Sequence, residues 1–130
     1  IGANACLDYG YAVLRGHLMR AVLAAGLAPA LGVFHRGRGN AFALADDLIE
    51  PFRPAIDEVA LPLPAMASPS DRDVKQLLVA AASQRFDSDG HGIPAVAEAL
   101  AQSFGRYVEG DIDRLQVVSW QGPSRVGVGD

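Results

Sequence analysis

An all-α fold is what this chain predicts, on three observations. Apolar residues recur at three- and four-residue spacing in its long segments. Cap and stop signals bracket those segments. Its 130 residues, half of them hydrophobic, are enough to bury one core of about five to six helices.

The elements follow in order. Asn4 has the short polar side chain of an N-cap and starts a helix to about Ala25, with Gly26 as its stop and Pro29 beyond. A loop from Gly32 to Gly39 carries His35. Asn40, before the next apolar run, reads as the cap of a second helix in preference to a DNA contact. That helix either ends near Glu50, because Pro51 disfavours the α conformation there, or continues kinked through Pro51 and Pro54 toward Val59.

Pro62, Pro64 and Pro69 mark a connection. Ser70 and Asp73 resemble a capping box for a helix to about Phe86, with Val74, Leu77, Leu78 and Ala81 at helical spacing. Asp87 to Gly92 is a turn. Ile93 and Pro94 open a helix to about Glu109, whose apolar stripe is Val96, Ala97, Leu100, Phe104, Tyr107 and Val108. Ile112 and Leu115 suggest a short helix or turn, and Val117 to Trp120 an extended piece. Glycines and prolines from Gln121 onward suggest a flexible tail, so the expected division is a helical domain over 1–118 and a tail over 119–130.

Composition excludes several classes. No apolar run approaches the roughly 20 residues of a membrane span, since Arg15, His17 and Arg20 interrupt the most hydrophobic stretch. The N-terminus lacks a signal-peptide pattern, and a cytoplasmic protein is expected, with no membrane partner. Cys6 is the only cysteine, which rules out an intramolecular disulfide or a Cys-based zinc site; its apolar setting reads as core packing. The net charge of −4 disfavours autonomous nucleic-acid binding. Its distribution is uneven, however: residues 1–40 carry Arg15, Arg20, Arg36 and Arg38 against Asp8 alone.

The most informative segment runs from His35 to Pro54. It holds one imidazole, three carboxylates (Asp46, Asp47, Glu50) and three guanidiniums (Arg36, Arg38, Arg53). On a helix the acids share one side, and Ala41, Ala45, Leu48, Ile49 and Phe52 make the apolar side. Imidazole with carboxylate suits Mg²⁺ or Mn²⁺, and arginine's planar fork suits phosphate. Carboxylates crowded into a helix's last turn repel one another and oppose its dipole, so a cation is required nearby. Arg53 or a metal ion meets that need. On spacing alone the acids read first as a solvated face neutralised by Arg53, with His35 a loop residue, because the pattern has low specificity. His17, Arg20 and His91 read as surface residues.

The wording of two segments goes further. His35-Arg36-x-Arg38-x-Asn40-Ala41-Phe42-x-Leu44-Ala45-Asp46-Asp47-Leu48-x-Glu50-Pro51-Phe52-Arg53-Pro54 resembles the catalytic segment of the CRISPR adaptation integrase and endonuclease ("Cas one") family in its type II form. Upstream, Leu7-Asp8-Tyr9-Gly10-Tyr11 resembles that family's LNYGY helix with a carboxylate in place of the amide, followed as expected by Ala25-Gly26-Leu27-Ala28-Pro29. The resemblance runs from about Asn4 to Arg53 and continues more loosely after Ser70.

The resemblance implies that residues 1–118 are the family's helical C-terminal catalytic domain. Its N-terminal β-domain, and a first glutamate that lies upstream of the LNYGY helix, are expected outside these residues, since the chain starts at Ile1 just before that helix. It implies His35 and Glu50 as metal ligands and catalytic groups with Asp47 in support, and Mg²⁺ or Mn²⁺ as cofactor. Among the arginines, Arg36 and Arg38 suit phosphate and Arg53 suits structural pairing, though all three, with Asn40, are candidate DNA contacts. The implied activity is insertion of foreign DNA fragments into the CRISPR array by 3′-hydroxyl attack on a phosphodiester. The implied partners are double-stranded DNA, a second copy of the protein and a small "Cas two" dimer. The competing reading is a catalytically inactive helical DNA- or protein-interaction domain.

Overall fold

The computed structural model describes residues 1–27, 43–115 and 119–120, and the regular elements among these are helices. Five α-helices occur among the described residues: α1 (Ala3–Ala24), α2 (Ala43–Leu48), α3 (Arg53–Ala60), α4 (Arg72–Ser83) and α5 (Ile93–Val108), with a 3₁₀ turn (Glu50–Phe52) between α2 and α3. The expected all-α class holds. Among the described residues the β-pairing is a single antiparallel bridge between Arg85 and Gly92.

Helix α1 is the central element and packs against α2, α3, α4 and α5. Its buried residues are Cys6, Gly10, Leu14, Leu18, Ala21 and Val22, a stripe spaced mostly by four. Leu44, Phe52, Ile56, Leu78, Phe86 and Ile93 close around it. The Phe52 and Phe86 rings meet at 4.8 Å between centroids, tilted by 49°. Each such side chain removed from water contributes about 1.5–3 kcal/mol, and Cys6 belongs to this core as its apolar setting suggested.

Helix α1 begins earlier than the Asn4 cap implies. Gly2 is the N-cap, at φ 88°, a backbone conformation that glycine adopts without strain. Its N–H donates to the Ala67 carbonyl at 2.7 Å, pinning the helix start to the loop before α4, and Asn4 is an exposed residue of the first turn. The far end matches the glycine stop. Gly26, at φ 77°, donates to Leu23, and Leu27 donates to Val22, which is the paired bonding of a Schellman cap.

Of the two expected outcomes at Pro51, the chain takes the kinked continuation. Pro51 and Pro54 stand in the first positions of the 3₁₀ turn and of α3, where a missing N–H costs nothing. The kinked α2–α3 run keeps Ala45, Leu48, Ile49, Phe52, Ala55 and Ile56 buried.

Helix α4 is shorter than expected at both ends. A turn over Ser68–Asp71 uses Ser70, so the N-cap is Asp71 and no side chain closes a capping box. The helix stops at Ser83 because the next residues bond across the Asp87–Gly92 turn instead, Phe86 N–H to His91 and Ile93 N–H to Gln84. Tyr107 and Val108 are exposed, so the stripe of α5 ends at Phe104. Ile112 and Leu115 lie in irregular chain beside bends at 111 and 113–114, with Leu115 packed on the core. Of the stretch 119–130, Ser119 and Trp120 are described, and Trp120 is partly buried against the core.

Candidate functional site

On α1, Asp8, Tyr11, Ala12 and Arg15 form a face beside the buried stripe, at three- and four-residue spacing, with Tyr11 packed on the edge of the core. The α2–α3 kink lies across them and contributes Asp46, Asp47, Ile49, Glu50 and Arg53. These nine residues line an open groove of about 590 Å³. Packing creates this geometry: the apolar faces of α1 and α2 turn into the core, so their polar faces meet at its edge.

The groove's charges are interlocked. Arg15 Nε donates to Asp46 Oδ1 at 2.7 Å, joining α1 to α2. Arg53 Nε lies 3.2 Å from Glu50 Oε2, and its guanidinium carbon sits 4.8 Å from the centre of the Tyr11 ring. The Tyr11 hydroxyl donates to Asp57 on α3. Burial first, then that hydrogen bond to a carboxylate, pushes the Tyr11 pKa up to about 12, so the phenol stays protonated and donating beyond the ordinary tyrosine range.

The structure thus brings together Asp47, Glu50 and Arg53 of the expected site. His35, Arg36, Arg38 and Asn40 lie outside the described residues. Arg53 lies at ion-pair distance from Glu50. Arg15, Tyr11, Asp8 and Asp57 were not anticipated as site residues. A sequence signal for three of them existed: residues 8, 11 and 15 share a helix face that the apolar stripe leaves free.

Carboxylate oxygens are the donors that hard cations such as Mg²⁺ and Mn²⁺ prefer, and Glu50 is 62% exposed to the groove. The donor chemistry therefore fits a divalent ion. Among the described residues, however, no three of the groove's acids converge; the trio whose ligand atoms lie within 4.8 Å of one another is Asp87, Asp89 and His91. Asp87 is occupied by its own turn. It accepts the N–H groups of Asp89 (3.1 Å) and His91 (2.8 Å) and pairs with His91 Nδ1 at 2.9 Å. The His91 backbone bond is the main reason its carboxyl is held below its ordinary pKa. These bonds explain the cluster as a turn, and His91 is exposed as expected.

His17 and Arg20 bond to each other on α1, and His17 also reaches Ser83 Oγ at 3.5 Å. Arg20 is exposed, whereas His17 is half-buried toward α4, and that burial, then the Arg20 charge, lowers its pKa. Among the described residues no helix is long and apolar enough to cross a membrane.

Comparison with known proteins agrees with the two motifs. The model of the family described as CRISPR associated protein Cas1 matches residues 2–76, which contain α1, α2, α3 and every residue lining the groove. The chain is 56% identical over 54 residues to the CRISPR-associated endonuclease Cas1 of Neisseria meningitidis serogroup C, an alignment covering 42% of this chain and 18% of that protein. It is 42% identical over 76 residues to the CRISPR-associated endonuclease Cas1 1 of Thermus thermophilus, covering 56% and 24%. With the CRISPR-associated endonuclease Cas1 of Korarchaeum cryptofilum it shares 35% over 88 residues, covering 66% and 26%. The chain thus spans about a quarter or less of these relatives. With more than half its residues matched by the family model, the chain belongs to the CRISPR-associated Cas1 family.

Proposed function

We propose that this chain is the helical catalytic part of a metal-dependent DNA endonuclease and integrase that inserts foreign DNA fragments into a CRISPR array. The observation that carries the reading is the groove, which sets Asp47 and Glu50 beside Arg15 and Arg53 inside the family-matched segment. Relatives named as endonucleases support it. The domain would extend over 1–118.

In this reading Glu50 and His35 hold a Mg²⁺ or Mn²⁺ ion, with Asp47 beside them. The bound ion supplies Lewis-acid polarisation of the scissile phosphodiester and charge stabilisation for in-line displacement. Arg36 and Arg38 hold DNA phosphates. Arg53, paired with Glu50, balances the acids. The attacking group is the 3′-hydroxyl of the incoming DNA or a water molecule, so no protein nucleophile is needed, and buried Cys6 is not one. Double-stranded DNA, a second copy of the protein and a small Cas2 dimer are the proposed partners, in the cytoplasm of a prokaryote.

A second reading has an observation of its own. The Arg15–Asp46 and Arg53–Glu50 pairs neutralise two of the acids without any metal, as an inactive helical DNA- or protein-interaction domain would require. The experiment that separates the two is spacer acquisition by the intact protein and by its His35→Ala and Glu50→Ala variants. Loss of integration in both, with the helical circular dichroism spectrum retained, supports the enzyme. Integration at the wild-type level by both overturns the site.

A further inference from the structure

The contact between Arg53 and Glu50 is unusual for an ion pair. Arg53 Nε approaches the carboxylate to 3.2 Å and is shielded from solvent, yet no hydrogen bond forms. A guanidinium free to turn presents its fork to a carboxylate and makes two parallel bonds. Here Tyr11 intervenes. Its ring lies under the guanidinium at 4.8 Å, and its hydroxyl, donating to Asp57 on the same helix as Arg53, holds the ring in place. A cation over an aromatic face gains about as much as an exposed ion pair does, so the ring is able to decide how the guanidinium lies.

We infer that Tyr11 is a positioning residue for this site: it holds Arg53 against its ring, which prevents the guanidinium from closing on Glu50. The Glu50 charge is balanced, while its oxygens stay open to a hard divalent cation. The inference rests on the reading of Glu50 as a metal ligand.

Two measurements on the 130-residue chain test it. One is the Arg53 Nε–H resonance in the metal-free protein, read by proton–nitrogen NMR; the other is Mn²⁺ affinity by calorimetry. In Tyr11→Leu the resonance is expected to move downfield as the bond to Glu50 forms. Mn²⁺ binding then weakens about tenfold, the size of one new charge-assisted hydrogen bond in competition. Tyr11→Phe keeps the ring face but loses the bond to Asp57 that holds it, so its affinity is expected to fall between those of wild type and Tyr11→Leu, and adding Arg53→Gln to Tyr11→Leu restores binding. Should Tyr11→Leu fail to fold, Arg53→Lys keeps the charge without the planar stack and is expected to bind Mn²⁺ more weakly than wild type. An unmoved resonance in folded Tyr11→Leu overturns the positioning role, as does wild-type affinity in Arg53→Lys. No Mn²⁺ binding by the unaltered chain overturns Glu50 as a ligand and the inference with it, even if the resonance shifts.

Discussion

Arg15 and Asp46, 31 residues apart in sequence, meet at 2.7 Å across the interface between α1 and α2. Asp46 also shares the groove with Asp47 and Glu50, so this bond connects the central helix to the edge that bears the acids. Arg15 is about half exposed, and solvent limits the pair's contribution to about 0.5–1 kcal/mol. Arg15→Ala and Asp46→Ala should each cost that much in urea unfolding. The double variant should cost less than the two single values summed, whereas strict additivity would show that the contact is not energetically coupled.

Gly10 allows α1 and α3 to approach closely. A Cβ placed there would lie 2.6 Å from Ile56 Cγ2, and Ile56 is fully buried with nowhere to move. Gly10→Ala is expected to destabilise the chain by about 1–3 kcal/mol through overpacking. Ile56→Ala in the same molecule removes the clashing methyl, and thermal unfolding should show the two substitutions to be less harmful together than their sum.

Phe52 stands at the kink between the acids and α3, with its ring on Phe86. Phe52→Ala should cost about 3–5 kcal/mol in chemical denaturation, from lost transfer energy and the cavity left behind. Leucine at the same position should retain most of that stability. A loss below 1 kcal/mol in Phe52→Ala would mean that the kink is not anchored by the core.

Alkaline pH should loosen the chain through Tyr11. Its folded pKa is about 12, raised from 10, so the folded state keeps a proton that the unfolded state gives up. The associated stability is complete below pH 10 and is lost as pH rises toward 12. Tyrosinate absorbance should show a late-titrating group that belongs to Tyr11. Tyr11→Phe should remove that group and flatten the stability profile over the same window.

How much of this was legible in the sequence varies by element. The stripe of α5 as far as Phe104, the Gly26 stop and the Ile93-Pro94 start depend on spacing and backbone chemistry within one turn of helix, and they occur where those rules put them, whereas Tyr107 and Val108 are exposed. The sharing of one side by Asp46, Asp47 and Glu50 follows from the same local geometry, as does the burial of Ala45, Leu48, Ile49 and Phe52 opposite. Helix ends were less legible where a distant group intervenes. Gly2 displaces Asn4 as the cap because its N–H finds Ala67, and α4 stops at Ser83 because Gln84 and Phe86 bond across the Asp87–Gly92 turn.

By itself, then, the sequence determined the all-α class, the family and the acids offered on one face, because residue type and spacing act over a few residues. Tertiary structure alone decided which cations those acids meet. Arg15 reaches Asp46, and Tyr11 lies beneath Arg53, only after burial of the apolar stripe presses α1 against α2 and α3. No periodicity encodes that juxtaposition; it follows from the way the core packs.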